Sequence, residues 1–343
     1  MYNLEAEQVE ENRGYALLLE ALGPLARILE SDNVVEVYCN SNCPNIWIEY
    51  LGKGRVKSDI VLSNTERLQI IKIVASFCKT VVSKENPIIS AELPRYGYRF
   101  EASIPEITLM ASFNIRKPAL VVFTLDSYVK NGIMTEKQKK IIELAVQKKY
   151  NILVGGGTGS GKTTLCNAIL REVAKTGDRL VIIEDTRELQ CSAEDYEALR
   201  TSYYINATQL LRTTMRRRPD RIVVGEVRDG AAYDLLKAWN TGHPGGVSTT
   251  HANSALETLH RLESLALEAV TSVSSDLMCE LIGSTVNIVV FISRAVENVD
   301  GKQVKTRKVK EVVCCRGYDK TAKEFILESD EDKVLQILDS VVE

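Results

Sequence analysis

Residues 151–174 read NILVGGGTGSGKTTLCNAILREVA. A short apolar run of strand character enters a glycine-rich turn that opens into helical sequence, so the pattern predicts strand, loop and helix in that order. Gly156 to Thr163 satisfies G-x-x-x-x-G-K-[ST]. Such glycines let successive backbone N–H groups turn inward around a phosphate, and the helix beginning near Lys162 adds its positive dipole end. The expected phosphate-binding set is Gly156, Gly157, Thr158, Gly159, Ser160, Gly161, Lys162, Thr163 and Thr164. Lys162 would neutralise charge between the β- and γ-phosphates, and the Thr163 hydroxyl would ligate Mg²⁺. The competing explanation is a turn that merely joins two elements; the flanking strand and helix, which the phosphate chemistry requires, disfavour it.

Working outward, the chain after the loop has α/β texture. TEKQKKIIELAVQKKY (135–150) offers Thr135 as a helix N-cap and carries Ile141, Ile142, Ala145 and Val146 on one face. Val/Ile-rich runs recur at 179–185, 221–227, 246–252 and 286–292 with helical segments between most of them, which predicts a mostly parallel sheet covered on both faces. Upstream, the spacing predicts an amphipathic helix over Tyr15–Leu29, strands at 34–40 and 45–52, a helix over 66–81, and strand-like pieces at 95–105 and 107–117. The expected organisation is an α+β domain (1–117), an aperiodic linker (118–135) containing Pro118 and Gly132, and an α/β phosphate-loop domain (136–343).

The length of 343 residues fits two domains. With 43 Lys and Arg against 46 Asp and Glu, a formal net charge of −3, the chain lacks the basic excess of a nucleic-acid-wrapping protein. No apolar run approaches the roughly 18 residues of a membrane span. The first 50 residues hold nine acids and two basic residues, unlike a signal peptide, so a cytoplasmic protein without a transmembrane segment is expected. Eight cysteines without CxxC pairing read as reduced thiols.

Triphosphate hydrolysis also needs a carboxylate to orient metal or water, usually at a strand end beside the phosphate loop. RIVVGEV (221–227) puts Glu226 just past one apolar strand, and RLVIIEDTRE (179–188) puts Glu184 and Asp185 past another. A strand-end acid is often a solvated turn residue, but two of them downstream of a phosphate loop raise the odds of function. Glu226 is the preferred water-activating base and Glu184 the preferred support of the Mg²⁺ shell. TGHPGGVSTTHAN (241–253) sets His251 after a further strand, where its tip could sense a γ-phosphate, tie the site to a neighbouring element, or be satisfied by backbone hydrogen bonds. Zinc is disfavoured, since His243 and His251 are eight residues apart with no cysteine nearby, and His260 follows on helical sequence. Arg212, Arg216, Arg217, Arg218, Arg221 and Arg228 crowd residues 210–229, and Arg99 and Arg116 end the N-terminal domain. A charge run is usually a solvated face, yet phosphoryl transfer gains from an arginine against the γ-phosphate.

In order and spacing, GGTGSGKTT (156–164), IIEDTRE (182–188), RRRPDRIVVGEVRDGAA (216–232) and TGHPGGVSTTHAN (241–253) resemble the Walker A, Asp-box, Walker B and His-box blocks of the type II/type IV secretion, or traffic, ATPases. Within that superfamily the likeness is to TrbB-type conjugative-transfer ATPases, and it spans roughly residues 85–300. The resemblance implies a RecA-like P-loop C-terminal domain, ATP and Mg²⁺ as ligands, a homohexameric ring, and nucleotide held between the two domains. By position it implies Glu226, Glu184, Lys162 and His251 as catalytic residues, with Gly225 where many other NTPases have Asp. It implies Thr163 and Glu184 at Mg²⁺, directly or through water, and Arg99 and Arg116 as the residues reaching the phosphates from the N-terminal domain. Partners would be secretion or conjugation proteins at the inner membrane, with peripheral attachment through them and no sequence-specific nucleic-acid contact. The chain has neither a four-cysteine insertion nor a retraction-type block near its C-terminus, which favours conjugation over a pilus or type II secretion motor. A nucleotide-binding scaffold with little turnover is the non-enzymatic alternative, and a DNA-translocating motor a weaker one.

Overall fold

The structure, a computed structural model, describes residues 14–51, 53–118, 123–202, 204–270, 272–299 and 302–340, the side chains of 296–305 excepted. Two compact units divide the chain, Met1–Leu120 and Val121–Glu343. In the first, helices α1 (14–22) and α2 (Pro24–Glu30) precede β1 (Val34–Cys39), β2 (Asn45–Tyr50), β3 (Gly54–Val61), α3 (Asn64–Phe77), β4 (Ile88–Leu93), β5 (Tyr98–Ser103) and β6 (Ser112–Arg116). The strands form one antiparallel sheet in the order β3-β2-β1-β6-β5-β4. The single helix expected over Tyr15–Leu29 is two. Gly23 at φ 50° turns the chain, and Pro24, whose missing N–H a first helical turn tolerates, restarts it. Leu18, Leu22, Leu25 and Leu29 nonetheless join one core with Ile70, Ile71 and Val74 of α3 and Phe100 and Phe113 of the sheet. Helix α3 begins two residues before the expected start because Ser63 and Glu66 form a reciprocal capping box. Strand β3 escaped the sequence pattern because, as an edge strand, it buries no face and so carries no apolar alternation.

The second unit contains α4 (Leu125–Lys130), α5 (Glu136–Gln147), β7 (Ile152–Gly155), α6 (Lys162–Ala174), β8 (Leu180–Glu184), β9 (Tyr196–Arg200), α7 (Ala207–Thr214), β10 (Arg221–Val224), α8 (Ala231–Asn240), β11 (Val247–Thr250), α9 (Ala255–Glu268), α10 (Ser275–Thr285), β12 (Ile288–Val299), β13 (Lys302–Asp319), β14 (Glu324–Glu328) and α11 (Glu331–Ser340). Its sheet runs β14-β13-β12-β7-β11-β10-β8-β9. The strands from β12 to β9 are parallel, and β13 and β14 add an antiparallel margin. Ile152 and Val154 pack into one core layer and Leu153 into the other, as expected of a sheet covered on both faces. Within 118–135, where a linker is expected, Thr124 caps α4, and Leu125, Tyr128 and Met134 are buried in the core of this second unit. A six-residue helix is too short to show a period in sequence. Thr135 caps α5 as predicted, in a capping box with Gln138. No helix among the described residues is long and apolar enough to cross a membrane.

Candidate nucleotide site

The site lies where the carboxyl ends of β7, β11, β10 and β8 meet the phosphate loop, the position at which open parallel sheets bind ligands. The loop runs from the end of β7 to α6, and Gly161, at φ 100°, is the helix N-cap. That backbone conformation is left-handed, which glycine alone adopts without strain. The β12/β13 hairpin presses on the loop from one side. A Cβ on Gly156 would come within 2.3 Å of the Ile292 carbonyl oxygen, and one on Gly159 within 2.1 Å of an Arg294 guanidinium nitrogen. The loop glycines thus serve close approach as well as amide exposure.

Lys162 is buried, and its Nζ donates to the carbonyl oxygens of Gly156 (2.9 Å) and Gly157 (3.3 Å). It also lies 3.3 Å from His251 Nδ1. On the far side of the same ring, His251 Nε2 is 2.7 Å from Glu226 Oε1. Arg228 holds the other carboxylate oxygen: its Nε donates to Glu226 Oε2 at 2.8 Å and a second guanidinium nitrogen reaches the same atom. A continuous line, Lys162–His251–Glu226–Arg228, therefore crosses the carboxyl end of the sheet. Burial and the Lys162 ammonium hold the His251 pKa below its ordinary 6.5, against the opposing pull of Glu226. The imidazole is neutral at pH 7. Lys162 can only donate, so Nδ1 offers it a lone pair, while Nε2 stands against Glu226 Oε1 at ion-pair distance without a hydrogen bond to it.

Glu184, the last residue of β8, is buried, and its Oε1 accepts hydrogen bonds from the backbone N–H groups of Glu188 (2.9 Å) and Leu189 (2.8 Å). A Cβ on Gly225 would sit 3.0 Å from Glu184 Cγ. Glu184 occupies the space that a side chain at 225 would need, which accounts for glycine there. Asp185 points outward, accepting from Thr201 Oγ1 at 2.9 Å, so burial separates the two adjacent acids that sequence left as alternatives.

These residues fit a bound nucleoside triphosphate. The loop supplies amides, Lys162 a buried cation, and Ser160 a buried hydroxyl with no hydrogen-bond partner among the described residues. Thr163, in the first turn of α6, and Glu184 are oxygen donors of the kind Mg²⁺ takes. His243 lies apart, its Nδ1 2.8 Å from the Pro219 carbonyl oxygen. His260 is half-exposed on α9, 3.3 Å from Glu263. Neither joins His251, and no cluster of three His, Cys, Asp or Glu suited to a metal occurs among the described residues.

The arginine run is dispersed by the fold. Arg221 is fully buried on Asp178, Arg217 pairs with Glu197, and Arg212 lies 3.7 Å from Asp234. Arg228 alone of that run meets the acids of the site, with Asp185 3.7 Å from its guanidinium. In the N-terminal unit, Arg99 and Arg116 stand directly opposite one another across β5 and β6, flanked by Glu92 on β4 and Glu36 on β1. Arg294 and Arg307 carry no local motif that marks them in the sequence; strand register alone brings them to the loop.

A parallel sheet with a glycine-rich phosphate loop leading into a helix, and strand-end acids beside it, defines an α/β P-loop nucleotide-binding protein of RecA-like fold. Residues 19–330 match the family described as Type II/IV secretion system protein. The chain is 48% identical over 280 residues, 81% of its length and 84% of the relative's, to a probable conjugal transfer protein TrbB of Sinorhizobium fredii. It is 46% identical over 304 residues, 88% of its length and 90% of the relative's, to a conjugal transfer protein TrbB of Rhizobium radiobacter. Its fold is that of the Legionella pneumophila ATPase DotB, with a TM-score of 0.60 and 21% identity over 92% of this chain and 86% of that one. The chain belongs to the type II/IV secretion system protein family, and the resemblance of its motif blocks to the TrbB-type members extends over most of its length.

Proposed function

We propose that this protein is a Mg²⁺-dependent ATPase that powers type IV secretion or conjugative-transfer machinery. The observation that carries this reading is the line of contacts from the phosphate-loop cation, Lys162, through neutral His251 to Glu226. Phosphate binding and water activation are thereby linked by one side chain. The loop amides and Lys162 bind the β- and γ-phosphates, Lys162 turning from the Gly156 and Gly157 carbonyls toward the anion. Glu226 orients the attacking water and accepts its proton as the new bond to the γ-phosphorus forms and the bond to the β-phosphate oxygen breaks. His251 stands 2.7 Å from Glu226 Oε1, between that carboxylate and Lys162. Thr163 and Glu184 would hold Mg²⁺, directly or through water, and the cation would supply charge neutralisation to the phosphates.

The family membership supports a homohexameric ring in which Arg99 and Arg116 reach the phosphates from the N-terminal domain. Loss of the γ-phosphate then releases that grip, giving the two domain arrangements different affinities for ATP and ADP. The TrbB names of its relatives support a role in conjugative transfer, at the inner membrane through protein partners. The test is ATP turnover by the wild type and by Lys162→Ala, together with the particle mass with and without ATP. Mg·ATP hydrolysis by an assembled particle, abolished in the variant, is the expected result. A monomer under both conditions would remove the ring, and no turnover even with partner proteins would leave a nucleotide-binding scaffold.

A further inference from the structure

Strands β12 and β13 continue as a two-stranded hairpin beyond the parts that pair with β7 (Ile288–Phe291) and β14 (Cys314–Asp319). In that hairpin Arg294 is directly opposite Arg307, so two guanidinium groups share one face. Like charges in directly opposed positions destabilise a sheet. No carboxylate pairs with either arginine among the described residues, in contrast to the Glu-Arg-Arg-Glu row of the N-terminal sheet. Both arginines rest on the phosphate loop. Arg294 Nε donates to the Gly159 carbonyl oxygen at 3.3 Å, and Arg307 Cδ lies 3.0 Å from where a Cβ on Gly161 would be. Between those two glycines sits Ser160, 2% exposed, with its buried Oγ unpartnered.

We infer that Arg294 and Arg307 form a second phosphate-binding pair, supplied by the hairpin, that takes phosphate oxygens of the same nucleotide the loop binds. This rests on the nucleotide reading above and adds to it a pair of residues within the same unit as the loop. The chemistry is that of a guanidinium fork on phosphate, which an adjacent like charge strengthens once the anion lies between them. The Arg294 bond to Gly159 aims the guanidinium and leaves its remaining N–H groups for the anion. A carboxylate-bearing partner protein is the other anion that could neutralise the pair, and the phosphate loop beside it favours the nucleotide.

The test is calorimetric binding of Mg·ADP and of a slowly hydrolysed Mg·ATP analogue to the full chain, comparing wild type, Arg294→Gln, Arg307→Gln, the double variant and Lys162→Ala. The expected result is that each glutamine variant weakens binding of the ATP analogue, of ADP or of both by roughly tenfold or more, the loss of one charge-assisted contact. The double variant should weaken it by less than the product of the singles, because both arginines serve one anion. Thermal unfolding without nucleotide should be unchanged or raised in each variant, since like-charge repulsion is removed; a variant that binds weakly and is also destabilised has lost a structural contact, and that outcome overturns the assignment. Affinities within twofold of wild type for both nucleotides, with Lys162→Ala still abolishing binding, overturn the pair alone. A wild type that binds neither nucleotide overturns the site and the pair together.

Discussion

Strand β10 starts at Arg221, and two residues after its end comes Glu226. The two charges sit at opposite ends of one short strand, and their surroundings differ in kind. Arg221 is buried, with Asp178 at 2.7 Å and the carbonyl oxygens of Val146 and Gly245 at 2.8 and 3.2 Å. Lys149 binds the same Asp178 at 2.8 Å, closing the network. Glu226 is bound by side chains that each have another claim: His251 also faces Lys162, and Arg228 also faces Asp185. A saturated network at the amino end holds a fold together, whereas shared partners at the carboxyl end allow a phosphate to redistribute them.

The comparison breaks if the two ends exchange roles. The largest effect expected is on turnover: Glu226→Gln should lower kcat by about 10²–10⁴ through loss of the base while shifting stability by no more than about 1 kcal/mol, because the ion pairs it loses are partly exposed. Steady-state ATPase rates and urea unfolding read the two quantities on the same sample. Arg221→Ala should do the reverse. It leaves two buried carbonyls without their donor and Asp178 with Lys149 as its remaining cation, a loss of about 3 kcal/mol in urea unfolding, with turnover per folded molecule retained. A Glu226→Gln variant that unfolds early, or an Arg221→Ala variant that is stable but inactive, would show that the ends do not divide the work in this way.

The smallest effects are in pH dependence, and they sharpen the division because the ends titrate in separate windows. Burial pushes the Asp178 carboxyl up, but hydrogen bonds from Lys149, Arg221 and Thr176 together outweigh it and hold the pKa at about 2, below the ordinary 3.8. The folded state therefore binds fewer protons than the unfolded one, so this stabilisation is complete above pH 3.8 and disappears as pH falls toward 2. His251, held below 6.5, obeys the same sign: its contribution is present above 6.5 and declines as pH falls beneath it. Unfolding free energies measured from pH 8 to 2 should lose the upper slope in His251→Asn and the lower one in Asp178→Asn. Loss of both slopes in a single variant would mean that the two ends are coupled.

Much of this site was legible before any fold was known. The phosphate loop is a contiguous string whose chemistry is carried by its own backbone, and Glu184, Glu226 and His251 each follow a run of Val, Ile or Thr that marks a strand end. Strand type implies their convergence, and it is realised because β7, β11, β10 and β8 are sheet neighbours. The arginines were less legible, since a guanidinium gives no local sign of what it will meet. Of the six in residues 210–229 the fold gives Arg221 to the core, Arg212 and Arg217 to acids away from the phosphate loop, and Arg228 to Glu226.

By itself the sequence determined the α/β class, the phosphate loop, the helix cap at Thr135, and the acids of the motif blocks, all features specified by residues near one another in the chain. Only the tertiary structure decided which of Glu184 and Asp185 is buried, why position 225 must be glycine, and which arginines face the loop. The pairing of Arg294 with Arg307 makes the reason plain. The register of β12 against β13 shifts between Phe291 and Ile292, moving from Phe291 opposite Glu311 to Ile292 opposite Val309. Without that bulge Arg294 would face Lys308, with Arg307 on the other side of the hairpin. A one-residue irregularity in pairing leaves no trace in composition or period, yet it sets which charges stand against the phosphate loop.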